Sequence, residues 1–409
     1  MTALDPITGP PANPLTAGHA EMIAWRHDFH RHPELAFAEH RTAARVAELL
    51  RGFGVDEVTE GVGRTGVVGV INGTQGAGAT VGLRADMDAL PVVEATGLDY
   101  ASTHAGVMHA CGHDGHTTML LGAARHLAER RDFPGRVVLI FQPAEEGRAG
   151  AREMLQDGLQ ERWPMDSVFG LHNMPGVPAG KLVVSPGPVM AAADRFDITV
   201  RGQGGHAALP ERCRDPVVAA SALVQALQTV RGREVAPDAT LVLSVTRIQG
   251  GEAFNIIPDA VELSGTVRYF DPGMGEVAEA AIGRIAQGIA AAHRVEIETS
   301  YRRGYPPTIN HEGPADLMAR AAADLLGAEN SGPQPRLMVS EDFSFLLERI
   351  PGAYAFLGNG GEGGEGGEKL GACGLHAPTY DFNDAILPAG AGVLAQVARV
   401  ALEEAAGKE

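Results

Sequence analysis

Short apolar runs that end in polar side chains recur along this sequence, and they restrict its fold more than any other feature. The run Gly135–Phe141 (GRVVLIF) carries one charged side chain and ends just before Gln142. A strand that is apolar on both faces is typical of a parallel sheet covered by helices on both sides. The segments that begin at Thr80 and Val168 follow the same plan, with helical patterns between them. This alternation predicts an α/β fold with a mostly parallel central sheet flanked by helices.

The pattern changes in the middle of the chain to the order βαββαβ. Predicted strands at 194–201, 240–249, 260–269 and 295–301 alternate with predicted helices at 216–230 and 272–293. This order is that of a ferredoxin-like α+β domain. A chain of 409 residues is also too long for one ordinary core. We therefore predict an α/β domain of residues 1–188 and 304–409, interrupted by a ferredoxin-like domain of residues 189–303.

Charge and cysteine content disfavour several classes of partner. The chain has 51 acidic and 33 basic residues, a formal net charge of -18, which disfavours nucleic acids and anionic membranes. Three cysteines are too few for a disulfide framework and indicate a reducing compartment, so we predict a cytoplasmic protein. No apolar run approaches the length that a membrane span needs, and Met1–Thr16 lacks the pattern of a secretory signal.

The stretch His109–His116 (HACGHDGH) holds one thiol, three imidazoles and a carboxylate. A single glycine separates Cys111 from His113, so both side chains can turn toward one point. Thiolate and imidazole are ligands that suit zinc and neighbouring divalent metals. The apolar run that begins at Thr117 predicts a buried helix, whose N-terminal dipole would help to hold a thiolate. A loop that happens to contain several histidines is the alternative.

Further ligand-type side chains follow other predicted strands. Glu145 and Glu146 come just after the run that ends at Phe141, and His172 follows the run that begins at Val168. Because neighbouring side chains diverge, one carboxylate can bind a metal while the other faces a substrate. Asp86, at the end of the strand from Thr80, is a candidate for orienting a ligand histidine. A capping or turn aspartate is the alternative for Asp86.

Seven motifs together give the chain a specific resemblance to a known family. They are RADMDALP from Arg84, HACGHDGH from His109, FQPAEE from Phe141, GHAA from Gly205, NIIP from Asn255, SEDF from Ser340 and LHAPTYDFND from Leu375. With them the chain resembles the N-acyl-amino-acid amidohydrolases of the metal-dependent aminoacylase and carboxypeptidase superfamily. It is most similar to the branch of hippurate hydrolases and hydrolases of indoleacetyl-amino-acid conjugates. The resemblance runs from about His27 to the last predicted helix.

The resemblance implies a catalytic domain interrupted by a lid domain, through which two subunits form a homodimer. It also implies two divalent metal ions per subunit, Zn²⁺ or Mn²⁺, with Co²⁺ or Ni²⁺ as alternatives. Carried over by motif, the metal ligands would be Cys111, His113, Glu146, His172 and His376. Cys111 would bridge the two metals.

The implied reaction is hydrolysis of the amide bond of N-acyl amino acids, with an aromatic acyl or acetyl group, to a carboxylic acid and an amino acid. Glu145 would accept the proton of a metal-activated water and pass it to the leaving amine. His206, on the lid, would reach the partner subunit's site and stabilise the oxyanion. Asn255 and Arg268 match lid positions that contact the amino-acid end of the substrate in relatives. A surface arginine is the alternative for Arg268.

Other functions use parts of the same pattern. A binding protein on an enzyme-derived scaffold would have lost ligands or the base, whereas all of them are present. A structural zinc site is closed by four ligands, whereas five ligand-type residues and a spare carboxylate occur here. A dipeptidase, carboxypeptidase or deacetylase would use the same machinery, so the acyl pocket decides among them. The Gly/Glu-rich loop 360–368 is longer than usual for the family, and it either alters access to the site or is passive.

Overall fold

The computed structural model describes residues 14–360 and 374–407, so the predicted loop 360–368 lies outside the described residues except for Gly360. The chain divides into two compact units. The first comprises residues 1–187, 309–335 and 345–409, and the second comprises residues 188–308 and 336–344.

The second unit differs from the predicted domain of residues 189–303 in two ways. Its main stretch continues to residue 308, and it includes the separate segment 336–344. Residues 336–344, which we had assigned to the α/β domain, belong to the second unit. The reason is a backbone connection that the sequence pattern does not show. Met190 forms a parallel bridge with Leu337, and Ala191 N donates to the carbonyl oxygens of Leu337 at 3.1 Å and Val339 at 2.9 Å.

Strands and helices follow one another along both units. The strands are β1 Glu57–Val62, β2 Gly66–Asn72, β3 Thr80–Asp86, β4 Arg136–Gln142, β5 Ser167–Pro175, β6 Leu182–Val183, β7 Gly187–Met190, β8 Ala193–Arg201, β9 Gly205–His206, β10 Leu241–Gln249, β11 Ile256–Ile257, β12 Ala260–Tyr269, β13 Glu296–Tyr305, β14 Thr308–Asn310, β15 Ser331–Gly332 and β16 Gly352–Gly360. The α-helices are α1 His19–Arg31, α2 His40–Gly52, α3 His113–Glu129, α4 Glu145–Arg148, α5 Gly150–Gln156, α6 Leu159–Arg162, α7 Pro216–Leu227, α8 Thr229–Arg233, α9 Met274–His293, α10 Glu312–Leu326, α11 Ser344–Leu347 and α12 Leu387–Ala406.

The first unit is built on an eight-stranded sheet in the order β1-β2-β4-β3-β5-β16-β6-β15. Its centre is parallel, because β3 pairs in parallel with β4 and β5, and β5 pairs in parallel with β16. Strands β3 and β16 are buried almost throughout, as strands covered on both faces should be. Helices α3, α10 and α12 pack against these central strands. The predicted mostly parallel sheet with flanking helices is confirmed.

Helix α3 begins at His113 rather than at the predicted Thr117. The turn before it is made by Gly112, whose φ of 92° lies in the left-handed region that favours glycine. A Cβ atom at Gly112 would lie 2.3 Å from Asn173 Oδ1, so the backbone passes close to the end of β5. The early start places His113 and His116 on the first turn of a buried helix.

The second unit has a four-stranded sheet in the order β10-β12-β8-β13, with every neighbouring pair antiparallel. When the four strands of this sheet are numbered in chain order, their order across the sheet is second, third, first, fourth. Burial alternates along β8 and β12, and α7 and α9 pack on one another and on the sheet. Their side chains form a hydrophobic core of their own. The ferredoxin-like α+β prediction therefore matches the observed topology.

The C-terminal helix α12 corrects one expectation. The span Asp384–Ala406 is long and apolar enough to cross a membrane, with a mean hydropathy of 1.6 in an 18-residue window, so the expectation that no run approaches this length was wrong. Of the window that meets this criterion, 67% is buried inside the structure. Helix α12 packs against α3 and α10, which is the environment of a core helix.

Candidate active site

The five predicted ligands come from four segments of the first unit and meet at one place. The ligand atoms of Cys111, His113 and His172 lie within 4.8 Å of one another, and so do those of Cys111, Glu146 and His376. The Cys111 thiol belongs to both groups. Two groups of three donors that share one sulfur have the layout of two metal positions joined by a thiolate.

Two of the predicted ligand histidines bind a backbone carbonyl through Nδ1, so that Nε2 is the ring nitrogen directed at this centre. His113 Nδ1 donates to the Asp88 carbonyl oxygen at 2.8 Å, and its Nε2 is buried with no hydrogen-bond partner among the described residues. His172 Nδ1 donates to the Asn173 carbonyl oxygen at 2.6 Å, and its Nε2 lies 3.5 Å from Cys111 Sγ. A buried nitrogen without a partner calls for a ligand. The thiol, imidazole and carboxylate donors fit divalent cations of the zinc type.

Burial and contacts among the donors shift their pKa values. Burial and the Glu146 charge raise the pKa of the Cys111 thiol. Hydrogen bonds to Cys111 and Glu146 raise the pKa of His376 to about 10. Burial and the neighbouring His116 lower the pKa of His172, so that its ring is neutral, as a metal ligand must be.

The turn after β4 places Glu145 beside the centre. Glu145 is buried, and its carboxylate lies within 4.8 Å of the ligand atoms of His113 and Glu146. The Asp88 carboxylate accepts hydrogen bonds from the backbone N–H groups of Glu145 and Glu146, both at 3.0 Å. Ala144, the residue before the pair, has a φ of 56°, a strained conformation for alanine. Asp88 thus fixes a tight turn from which both glutamates project.

Asp86 lies in the site, where its histidine partner is His116, which is not one of the five proposed ligands. Its Oδ1 accepts from His116 Nδ1 at 2.6 Å, and its Oδ2 accepts from Arg84 Nη1 at 2.8 Å. Its nearest approach to the predicted ligand His113 is 3.7 Å, from Oδ2 to the unbonded Nε2. Burial opposes ionisation, but the charges of His113, His116 and Arg84 hold the pKa of Asp86 well below its usual range. The Asp88 carbonyl, rather than Asp86, orients the His113 ring.

Sequence reasoning gave no role to two residues that organise this site, Asp88 and Asn173. Asp88 binds both the glutamate turn and His113, as described above. The Asn173 side chain contacts His116 Nε2 at 2.6 Å and donates to the Tyr380 hydroxyl at 2.5 Å. Asp88 lies two residues after the candidate Asp86, and Asn173 directly follows the candidate His172, and this closeness in sequence is the signal that could have found them.

Of the three predicted residues of the second unit, His206 and Asn255 lie together and Arg268 lies apart from them. Strand β9 pairs with β11 so that the exposed His206 lies opposite Ile256, and Ala207 N donates to the Asn255 carbonyl oxygen at 3.1 Å. This two-stranded ribbon lies beside the end of the sheet where β12 begins. Arg268 is the penultimate residue of β12, about 26 Å along the strand from its start. There its Nη1 donates to Ser340 Oγ at 3.2 Å.

Replacement of the shared thiol tests the layout of the centre. We expect Cys111→Ala to lose at least one of two bound metal ions per chain, because the sulfur belongs to both donor groups. Cys213→Ala is the matched control, since Cys213 is also a buried free cysteine but lies in the second unit. Metal content per chain is measured by mass spectrometry after gel filtration. Two metals retained by Cys111→Ala would rule out ligation by the thiol.

Comparisons with known proteins agree with this geometry. Residues 82–400 match Peptidase family M20/M25/M40. The hippurate hydrolase of Campylobacter jejuni is 44% identical over 382 residues, which cover 93% of this chain and 96% of that protein. The N-acetyl-L-cysteine deacetylase of Bacillus subtilis is 41% identical over 354 residues, which cover 86% of this chain and 84% of that protein.

A solved structure extends the likeness to the fold and to the number of metals. The Bacillus subtilis YXEP protein, described as a dinuclear metal binding peptidase of the M20 family, matches with a TM-score of 0.80 and 34% identity. The match covers 95% of this chain and 99% of that chain. The resemblance drawn from the seven motifs is confirmed. The chain belongs to Peptidase family M20/M25/M40, as a metal-dependent amidohydrolase.

Proposed function

We propose that the substrates are N-acyl amino acids with an aromatic acyl group, and that an N-acetyl group is the alternative. The reaction is supported by the meeting of five donor atoms, one of them the shared Cys111 thiol, beside the buried Glu145. The aromatic acyl group is supported by the 44% identity to a hippurate hydrolase, and the acetyl group by the 41% identity to a deacetylase.

In the proposed reaction, five residues bind the metal ions and Glu145 transfers the proton. Two divalent cations held by Cys111, His113, Glu146, His172 and His376 would supply Lewis-acid polarisation of the amide carbonyl and of water. Glu145 accepts a proton from the attacking water, whose oxygen forms the new bond to the carbonyl carbon. As the C–N bond breaks, Glu145 returns that proton to the leaving nitrogen. The products are a carboxylic acid and a free amino acid.

The donor set favours zinc or manganese in this proposal. Thiolate and imidazole ligands suit zinc, and a carboxylate adds a donor that manganese prefers. Cobalt and nickel remain alternatives, because they accept the same ligands. A thiolate in this position must stay reduced, which supports a reducing compartment such as the cytoplasm. Cys111 is a free thiol in the structure.

A homodimer through the lid is part of the same proposal, and the second unit supplies the support for it. His206 lies in the ribbon beside the end of the four-stranded sheet where β12 begins, and Arg268 lies near the other end of β12. One copy of this unit therefore cannot bring both side chains to the same small substrate. Two copies can, if His206 comes from the partner subunit. Within the described residues β10 is an edge strand of this sheet with the exposed apolar side chains Val242 and Ile248, which suits pairing with a second copy. In this arrangement His206 and the neighbouring Asn255 come from the partner subunit. The His206 imidazole stabilises the oxyanion, and Asn255 binds the amino-acid end of the substrate together with Arg268 of the other copy.

A substrate panel tests the acyl group. N-benzoyl, indoleacetyl and N-acetyl derivatives of one amino acid, together with a few dipeptides, are incubated with apo-protein and with added Zn²⁺, Mn²⁺, Co²⁺ or Ni²⁺. We expect metal-dependent amine release that is fastest for the aromatic acyl derivatives. Release confined to N-acetyl derivatives or to dipeptides would establish the corresponding alternative. No release with two metals bound would favour a binding protein.

Glu145 is tested by separating turnover from metal binding. We expect Glu145→Ala to keep two metals per chain and to lose turnover by a factor of about 10² to 10⁴, the usual contribution of general acid–base catalysis. Metal content and kcat are measured on the same preparation. Near-normal kcat in this variant would contradict the role of Glu145 as the base.

Subunit complementation tests whether His206 acts in the partner's site. Glu145→Ala and His206→Ala are each expected to be nearly inactive. In a mixed dimer, the subunit that keeps Glu145 receives an intact His206 from the other subunit. Co-expression of the two variants should therefore restore about a quarter of the wild-type activity if subunits pair at random. The absence of any recovery in mixed dimers, isolated by two different tags, would show that His206 serves its own subunit or none.

A further inference from the structure

Arg26 lies on α1, outside the motifs that carry the family resemblance, and its side chain is fully buried. Its Nη1 lies 3.3 Å from Asp114 Oδ2 and 3.3 Å from Asp381 Oδ1, and its Nε lies 2.5 Å from Asp384 Oδ1. A guanidinium group offers five N–H donors in one plane, so a single arginine can bind several carboxylates at once. Arg26 is the cation at the centre of three carboxylates.

These carboxylates belong to two segments that carry candidate ligands. Asp114 directly follows His113 on the first turn of α3, and the other two carboxylates follow His376 in the C-terminal segment. The two segments also touch through their backbones, because His376 N donates to the Ala110 carbonyl oxygen at 2.7 Å. His376 itself has a φ of 68°, so its backbone is held in a strained conformation. Arg26 therefore links the segments that contain Cys111 and His376.

His30 and Tyr100 also contact the groups that form this link. His30 Nδ1 lies 2.9 Å from Asp114 Oδ2, and the Tyr100 hydroxyl donates to Asp381 Oδ2 at 2.9 Å. Tyr100 also lies under the guanidinium, with 4.5 Å from the Arg26 Cζ atom to the ring centre. Without the arginine, buried carboxylates would be left to repel one another, and the two segments would separate or rearrange.

We propose that Arg26 is a positioning residue of the metal centre. Its guanidinium holds the turn at Cys111 and the segment at His376 at the separation at which their donors form one centre. The inference rests on the proposed metal ligands and adds to them a residue that acts through Asp114 on one side and through Asp381 and Asp384 on the other. A role in folding alone would change the stability of the protein and leave the metal affinity of the folded protein unaltered.

The test compares metal affinity in Arg26→Lys and in the wild type, both as full-length protein. Lysine keeps the charge but cannot reach three carboxylates from one planar group. Zn²⁺ affinity is measured by competition with a chromogenic chelator at a temperature where circular dichroism shows a folded protein. We expect about a 10–100-fold loss of affinity for at least one of two zinc ions, the usual effect of losing a group that orients metal ligands. Unaltered affinity for both ions would overturn the proposal.

Arg131→Lys is the matched control. Arg131 Nη1 donates to both oxygens of the Asp56 carboxylate, at 2.7 and 2.8 Å, in the same unit. Its Nε donates to the Ala128 carbonyl oxygen near the C-terminal end of α3, at the opposite end of that helix from His113. We expect this variant to bind two zinc ions with wild-type affinity, whatever its thermal stability. An equal loss of zinc affinity in both variants would also overturn the proposal, because it would mark a general effect of weakening the unit.

If Arg26→Lys does not fold, the milder variant Asp384→Asn tests the same proposal. Asp384 has a side chain that is 23% exposed, so Asp384→Asn removes one partner of Arg26 with little cost of burial. We expect a smaller loss of zinc affinity in the same direction, and unaltered affinity would overturn the proposal. Fewer than two zinc ions on the wild-type protein would contradict the proposed metal pair rather than the role of Arg26.

Discussion

The Asp88 carboxylate is the constraint on which the site depends most. It is buried, and it accepts the backbone N–H groups of both Glu145 and Glu146, while the carbonyl of the same residue accepts from His113. A buried carboxylate is costly unless its oxygens are hydrogen-bonded, so these contacts fix where the β4 turn must lie relative to the end of β3. One residue thereby sets the positions of a proposed base and two proposed ligands.

The parallel sheet explains why so few residues can assemble such a site. The strand pairs β3–β4, β3–β5 and β5–β16 run in the same direction, so the turns that follow β3 and β4 open at one edge. His172 lies within β5 near the same edge, and α3 begins there. Ligand-type side chains that are far apart in sequence therefore converge at this edge, where the long connection 87–112 between β3 and α3 also delivers Cys111. The tight turns at Gly112 and Ala144 then bring the backbone close enough for short side chains to reach one centre.

The sequence predicted what depends on local pattern. The apolar run of β4 and the alternating strands of the second unit were located because burial on two faces or on one face leaves a visible period. Strand β1 was not predicted, since it is an exposed edge strand with the mixed composition EVTEGV. The association of residues 336–344 with the second unit, and the links from Arg26 to Asp114 and Asp381, join residues far apart in sequence. No periodicity records such contacts, and a buried arginine looks like a surface one until its partners are seen.

The interrupted order of the chain has a consequence for how the protein is made. Most of the second unit is one continuous stretch, residues 188–308, so it can fold as soon as that stretch has left the ribosome. The first unit must wait, because its sheet lacks β16 and its core lacks α12 until the end of synthesis. His376 also lies in this last segment. During translation the early strands of the first unit therefore remain incomplete beside a finished neighbour, and the full set of metal donors comes together only when the last helix packs.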